Sequence, residues 1–479
     1  MNDEIAYMSA TELSAAYRSR SLSPVEVVDS LLERIDAVDP ALHAFITVAH
    51  DYARAAARVA EQQIMSTPPE QLGRLCGIPV TVKDLTPTAG VRTTFGLVEE
   101  LNNVPVEDGL TWSRLKAEGA VLLGKTSTPP LGALCVTEND IVGRTNNPWD
   151  PSRSVGGSSG GAAVALATGL GPLAIGSDGG GSIRVPASYC GVMGLKGSRG
   201  RIPLYTEGPI FETVDVVGPM TRTVDDCALM LSVMAGPHPR DPYSLLESGV
   251  DYVALLDGAS LSGVRVAFCA ELGRGPIEAD VASVFSSTAS WFDASLGAHV
   301  DLVEMVMPDF YDYFMAYWAP YFALFMSDSP KYDFSRYLPL MEWLEIGSKV
   351  SAVEHLATAL LRREEMHESF ASVFDDHDLI ITPTTPQAAF PHPEPAFLGP
   401  THVAGVEVAL PACDYSRFTD PPSNVGLPAM AVPCGFTPDG LPVSIQIIGR
   451  HGADDEVLRA AAAFERSLPG PARRPTVGV

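Results

Sequence analysis

The sequence predicts an α/β protein built on a large central sheet, and three observations carry that reading. Short β-rich runs alternate with helical segments along most of the chain. The 479 residues are 46% hydrophobic and 19% charged, a globular balance with material for a large core. No internal repeat points to a solenoid or propeller instead.

Taken in order, the chain opens with helices. Ser23-Pro24-Val25-Glu26 forms a capping box with proline at the first helical position. Val27, Val28, Leu31, Leu32 and Ile35 follow at helical spacing, and Asp39-Pro40 is expected to begin a new segment. The alanine-rich stretch 53–63 predicts another helix. Strands are expected at 78–82 and 121–123, then a small-residue helix at 160–168. A buried strand at 173–175 leads into a Gly/Ser cluster. Further on, helices are expected at 224–234, 279–294 and 454–465. Strands are expected at 264–268, 379–382, 429–433 and 443–448. The proline-rich stretch 383–400 reads as a loop over one end of the sheet, because strand-like runs continue after it.

The charge balance narrows the partners. Asp and Glu number 58 against 32 Lys and Arg, a net charge of -26. Such a field repels a phosphate backbone and an anionic membrane surface, so neither nucleic acid nor membrane is expected as a partner. No apolar run reaches the roughly 18 residues of a membrane span. The first ten residues carry Asp3 and Glu4 and no apolar stretch, which does not read as a secretory signal. The cysteines Cys76, Cys135, Cys190, Cys227, Cys269, Cys413 and Cys434 are odd in number and lack CxxC spacing. Free thiols in a reducing, cytoplasmic protein are the expectation.

Three places carry chemistry: Gly156-Gly157-Ser158-Ser159-Gly160-Gly161, Gly176 through Arg184, and Lys83 at the end of an apolar run. Glycines allow close backbone approach, and consecutive N–H groups in such a turn converge into an anion-binding nest. A serine ending that nest, Ser182, is placed to attack a carbonyl whose oxygen sits among the N–H groups. A lone Gly/Ser cluster is more often a tight turn with a capping serine. Two clusters separated by one helix and one strand are less often accidental. A serine nucleophile needs a base. No histidine lies between His50 and His238, whereas a lysine serves if burial keeps it neutral. Lys83 ends a hydrophobic strand; on its own it reads equally as an ion-paired lysine beside Asp84.

The stretch from Gly156 through Arg201 resembles the signature of the amidase signature family. The matching residues are Gly157 to Gly161, Asp178, Gly180-Gly181-Ser182-Ile183-Arg184-Val185-Pro186-Ala187, Gly191 and Gly194-Leu195-Lys196. Gly77-Ile78-Pro79-Val80 to Lys83-Asp84 is similar to the family's lysine strand, and Gly440 to Gly449 to a later landmark. Ala235 to Ile380 is the weakest part.

The resemblance implies a mixed, mostly parallel twisted sheet with helices on both faces. It implies one domain over 1–479, with N-terminal helices to about 65, a signature core at about 75–235 and a variable substrate-pocket region at about 236–380. It implies an amide hydrolase with no metal and no organic cofactor. Ser182 is then the nucleophile that forms an acyl-enzyme. Ser158, held by a cis Gly157–Ser158 peptide bond, relays the proton to Lys83. The N–H groups of Gly179, Gly180, Gly181 and Ser182 form the oxyanion hole, supported by Ser159, Asp178 and Arg184. A homodimer is a family-level expectation. Gly179, Leu85 and Gly197-Ser198 depart from frequent family residues, which bears on substrate class and touches no triad position.

Rival readings are weaker. Gly156-x-Ser158-x-Gly160 fits a nucleophile elbow, but the preceding Asn146–Arg153 is polar, with Pro148 and Pro151, where a strand is needed. Gly179-Gly180-Gly181 lacks the third glycine of a dinucleotide fingerprint. The resemblance also reaches the amidase component of the transamidosome, which releases ammonia from glutamine. Phe310, Tyr311, Tyr313, Phe314, Tyr317, Trp318, Tyr321, Phe322 and Phe325 crowd one helical segment. Such a stripe is more often core. Here, aromatic on several faces, it is expected to present Tyr317, Trp318 and Phe322 to an apolar pocket. The reading is an amide hydrolase of small, apolar or aryl-bearing substrates, with carbamates, hydrazides and anilides as related alternatives.

Overall fold

Eleven strands form one continuous sheet in a computed structural model that describes residues 3–208, 213–272, 275–327, 331–394, 396, 398–411, 414–469 and 473–476. In chain order they are β1 (Phe45–Val48), β2 (Pro79–Lys83), β3 (Val121–Thr126) and β4 (Leu173–Asp178). Then come β5 (Met193–Lys196), β6 (Val216–Thr221), β7 (Arg265–Phe268) and β8 (His299–Leu302). The last are β9 (Leu379–Pro383), β10 (Ala429–Phe436) and β11 (Pro442–Ile448). Across the sheet the order is β1-β3-β2-β4-β6-β5-β10-β11-β9-β7-β8.

The sheet is mixed, as expected. β3, β2 and β4 run parallel, as do β9, β7 and β8, while the pairs between and outside these blocks are antiparallel. Every residue of β2, β3, β5, β6, β9 and β11 is buried, so both faces of the sheet are covered. Two entirely buried helices, Gly160–Ala167 and Arg184–Cys190, carry the signature segments into this core. Small side chains make that depth of packing achievable: Gly161 lies so close to Ser127 and Ala44 that an added Cβ would sit 2.3 Å from Ser127 N.

The N-terminal capping box is present, with Ser23 and Glu26 exchanging hydrogen bonds and Pro24 in the first turn. The boundary expected at Asp39-Pro40 is not. The helix runs from Pro24 to Leu42 and takes Pro40 into its last turn, where the His43 N–H still reaches Asp39 O at 2.8 Å. The proline-rich stretch after β9 packs on the loop before Ser158, through Ser154 N to Phe390 O at 2.8 Å and His392 N to Ser152 O at 3.1 Å. Pro395, Phe397 and Cys413 lie outside the described residues. No helix among the described residues is long and apolar enough to cross a membrane.

Apart from the main core, a second apolar cluster holds Phe314, Trp318, Phe334, Leu340 and Trp343 against Leu134 and Val136. It sits under two helices, Phe310–Ser327 and Leu338–Lys349. A cleft opens between this cluster and the carboxyl ends of the parallel strands β2 and β4, the end of an α/β sheet at which ligands bind.

Candidate active site

Strand β2 ends on Lys83, whose side chain is 1% exposed. Its Nζ donates to Ser158 Oγ at 2.7 Å and to Ser177 Oγ at 2.9 Å. Burial lowers its pKa to about 7; the charges of Asp215, Asp178 and Cys135 pull the other way and lose. A lysine in that state carries a lone pair near neutral pH and accepts a proton from a hydroxyl.

Ser158 sits in the loop before helix Gly160–Ala167, with a cis Gly157–Ser158 peptide bond and 1% exposure. The strand that a nucleophile elbow requires is not there: the residues before it make turns and bridges. Ser159 ties this loop to the next one. Its N–H donates to Ser182 O at 3.0 Å and its Oγ to Ser177 O at 3.3 Å.

Strand β4 ends on Asp178 and turns through Gly179, Gly180 and Gly181 to Ser182, which is half-buried at the cleft. Glycine is required at 181 for two reasons. Its φ is +137°, and an added Cβ would meet Thr419 Oγ1 at 2.1 Å. Thr419 Oγ1 in turn donates to Gly180 O at 2.7 Å and pins the turn.

Asp178 shapes that turn from below. It accepts from Gly181 N at 2.7 Å and Ile183 N at 3.1 Å, and from Arg184 Nε at 2.9 Å and Nη2 at 2.7 Å. Burial alone would push its carboxyl up, but the charge and hydrogen bonds of Arg184 outweigh it and hold it below the ordinary value. Arg184 is itself anchored by Gln446 on β11 and by Ser423 Oγ at 2.7 Å. Of the four N–H groups expected to face an oxyanion, that of Gly181 is thus engaged by Asp178. Those of Gly179, Gly180 and Ser182 take no acceptor among the described residues. No hydrogen bond among the described residues joins Ser158 to Ser182.

The cleft measures about 930 Å³ with its open mouth. Ser158, Ser177 and Ser182 lie at its base, and Leu85, Leu131, Phe314, Tyr321, Met326 and Phe334 are among its walls. Trp318 and Phe322 face it, stacked with centroids 5.7 Å apart, and Trp343 stacks on Phe322 at 4.9 Å. Tyr317 turns elsewhere. It stacks on Tyr313 at 5.5 Å, with the Arg363 guanidinium 5.9 Å from its ring. The helical period separates it from its neighbour: one residue is a rotation of about 100°, enough to move a side chain off the cleft. The side chains of Phe310 and Phe325 lie outside the described ones.

Sequence reasoning missed Ser177, Gln446 and Asp215. Ser177 stood inside the Gly176–Arg184 cluster, and its hydroxyl was the available signal. Gln446 was the one amide in a mostly apolar strand, and a buried amide demands partners: it donates to Phe418 O and Thr382 Oγ1, each at 3.0 Å. Asp215 offered no local signal. Ser177→Ala removes one of two hydroxyl acceptors that favour the charged lysine. The expected result is a roughly tenfold lower kcat/KM, the value of one buried hydrogen bond. The acid limb of the pH–rate profile moves to lower pH. An unchanged profile would mean that the hydroxyl does not tune Lys83.

Comparisons with known proteins bear on this arrangement. A family model described as Amidase matches residues 26–458. An acylamidase of Rhodococcus erythropolis is 37% identical over 475 residues, covering 98% of this chain and 97% of the relative. A glutamyl-tRNA(Gln) amidotransferase subunit of Moorella thermoacetica is 35% identical over 502 residues, covering 99% and 100%. Among solved structures, a bacterial aryl acylamidase described as belonging to the amidase signature enzymes superposes with a TM-score of 0.89. It shares 30% identity and covers 98% of each chain.

Proposed function

The chain belongs to the amidase signature family of amide hydrolases, and on that premise we propose which amides it cleaves and by which residues. It is an enzyme that hydrolyses amide C–N bonds. The substrate in this reading is a small amide with an apolar or aryl group, cleaved to a carboxylic acid and an amine or ammonia. One observation carries the reading: a buried, near-neutral lysine bonded to a serine at the base of an aromatic-walled cleft.

In the proposed reaction Ser182 Oγ bonds to the acyl carbon while its proton passes through Ser158 to Lys83. The carbonyl oxygen gains charge beside the N–H groups of Gly179, Gly180 and Ser182. Lys83 returns the proton through Ser158 to the leaving nitrogen as the C–N bond breaks. Water then attacks the acyl-enzyme by the reverse relay and releases the acid and Ser182. Ser159, Asp178 and Arg184 keep the two serine loops in register. The chain acts as a single domain.

Glutamine hydrolysis for a partner protein is the second reading, supported by the identity to amidotransferase subunits. Glutamine brings a carboxylate, and no Lys, Arg or His is among the described residues lining the cleft. We therefore favour the apolar amide. The test is release of amine or ammonia from a panel of aryl amides, alkyl amides, anilides, hydrazides, carbamates and glutamine. Ammonia from glutamine alone would overturn the preference.

The aromatic wall gives a sharper test. Trp318→Ala is expected to lower kcat/KM for aryl amides about tenfold or more relative to acetamide, the loss of one large buried ring contact. Tyr317→Ala is expected to leave that ratio alone. Equal ratios for wild type and Trp318→Ala would remove the ring from substrate recognition. The reading also makes the enzyme a cytoplasmic homodimer, for which a solution mass of twice 50.8 kDa is the check.

A further inference from the structure

Lys83 is the first residue of a tight turn. Thr86 N donates to Lys83 O at 3.1 Å, and the turn's third residue, Leu85, lines the cleft. The second residue, Asp84, directs its side chain away from the serines to Lys125 on β3, with Oδ1 3.6 Å from Nζ. Both side chains are fully buried, and neither is among the residues that line the cleft.

Lys125 closes the turn from behind. Its Nζ donates to Thr86 O at 2.7 Å and to Thr93 Oγ1 at 2.6 Å, and the Asp84 carboxylate completes the surroundings of the ammonium. Asp84 passes the restraint on. Its Oδ2 accepts from Thr94 N at 2.9 Å and from Thr94 Oγ1. Its backbone donates to Thr126 O at 3.1 Å and accepts from Phe95 N at 3.0 Å, and Phe95 O accepts from Leu131 N, on the cleft wall, at 2.7 Å. One buried ammonium thus ties together the backbone that carries the base and the loop behind the wall.

A buried ion pair adds little stability, because desolvation offsets most of the attraction. Nor do these two charges set the state of Lys83, on which the acting charges are those of Asp215, Asp178 and Cys135. What the pair supplies is geometry. The relay spans 2.7 Å between Lys83 Nζ and Ser158 Oγ, and a misplacement of about 1 Å at a reacting group costs on the order of a hundredfold in rate. We propose that Lys125, through Asp84 and the turn at residues 83–86, is the positioning residue that holds Lys83 against Ser158. The proposal rests on the amide-hydrolase reading for its catalytic meaning, so it is tested by structure as well as by turnover.

Lys125→Met is expected to lower kcat for an aryl amide about tenfold to a hundredfold, with KM within about twofold of wild type. In a Lys83→Met background the same substitution is expected to change turnover by less than about twofold, since no base is left to misplace. In its crystal structure Lys83 Nζ should stand beyond about 3.5 Å from Ser158 Oγ. Lys125→Met/Asp84→Asn, which leaves neither charge buried alone, should show the same three effects, and it decides the matter where the single variant lacks a cooperative melt. A folded variant that keeps the Lys83–Ser158 bond would overturn the proposal. So would an equal loss of turnover in both backgrounds, the mark of a purely structural role. A wild type that hydrolyses no amide would count against the amidase reading, while the crystal structures would still decide what holds Lys83.

Discussion

Ser182→Ala is expected to lower turnover of every amide substrate by about 10⁴-fold or more, the scale on which serine hydrolases lose activity without their nucleophile. The reason is local. Ser182 is the one serine that ends the Gly179–Gly181 turn and opens on the cleft, whereas Ser158 is 1% exposed and already bonded to Lys83. Removing one half-buried hydroxyl costs little packing, so the melting temperature should stay within a few degrees of wild type. Binding of an aryl ligand, followed by tryptophan fluorescence, should survive. Turnover equal to wild type would transfer the nucleophile's role to another residue. Equal loss of ligand binding would mean that the substitution had deformed the turn instead.

The second large effect belongs to Lys83. A base with a pKa of about 7 is neutral above that pH and protonated below it. Activity should therefore rise tenfold per pH unit on the acid side and level off above about 7. Lys83→Met keeps the length of the apolar stem and removes the base; kcat/KM should fall by about 10³-fold or more.

Stability should move the other way. The folded-state pKa lies below the ordinary 10.5, so between the two values the unfolded chain binds more protons. The penalty on the folded state is full below about 7 and fades as the pH rises towards 10.5. Lys83→Met removes that penalty, and at neutral pH the inactive variant should melt at a higher temperature than wild type. A variant that was both inactive and less stable would assign Lys83 a structural role. Stabilisation at the expense of function is the behaviour expected of a group held in an unfavourable state for chemistry.

Much of this was legible in the sequence. The strand at Leu173–Ile175, the helix at Val224–Met234 and the small-residue helix after Ser159 lie where periodicity put them. Their apolar patterns are unbroken, so local preference and burial agree. Four strands escaped detection, β1, β5, β6 and β8, and in β5 and β6 local preference and burial disagree. β6 contains Gly218-Pro219 and β5 contains Gly194 and Lys196, residues that discourage a strand unless neighbours on both sides enforce it. Strand order was invisible for a different reason. β5 lies beside β10, more than two hundred residues away, and no local pattern encodes such a partner. At the site, the glycines and serines of the two clusters were readable as chemistry because close backbone approach leaves glycine little alternative. Asp215 was not, since its place beside Gly179 exists only once β4 and β6 pair. Tyr317 shows the limit of composition: a crowded aromatic helix announces a wall without saying which rings face inward.

Arg184 carries one more consequence. The guanidinium that steadies the Asp178 carboxylate is itself held by Gln446, 262 residues later, on the last strand to be made. A ribosome working at about 5–20 residues per second finishes Ser182 roughly 13–50 seconds before it supplies Gln446. Through that interval the nascent chain carries Lys83, Ser158 and Ser182 but lacks the brace that holds Arg184, and through it Asp178, beneath the serine turn. Hydrolytic competence is thus expected only once this strand is in place.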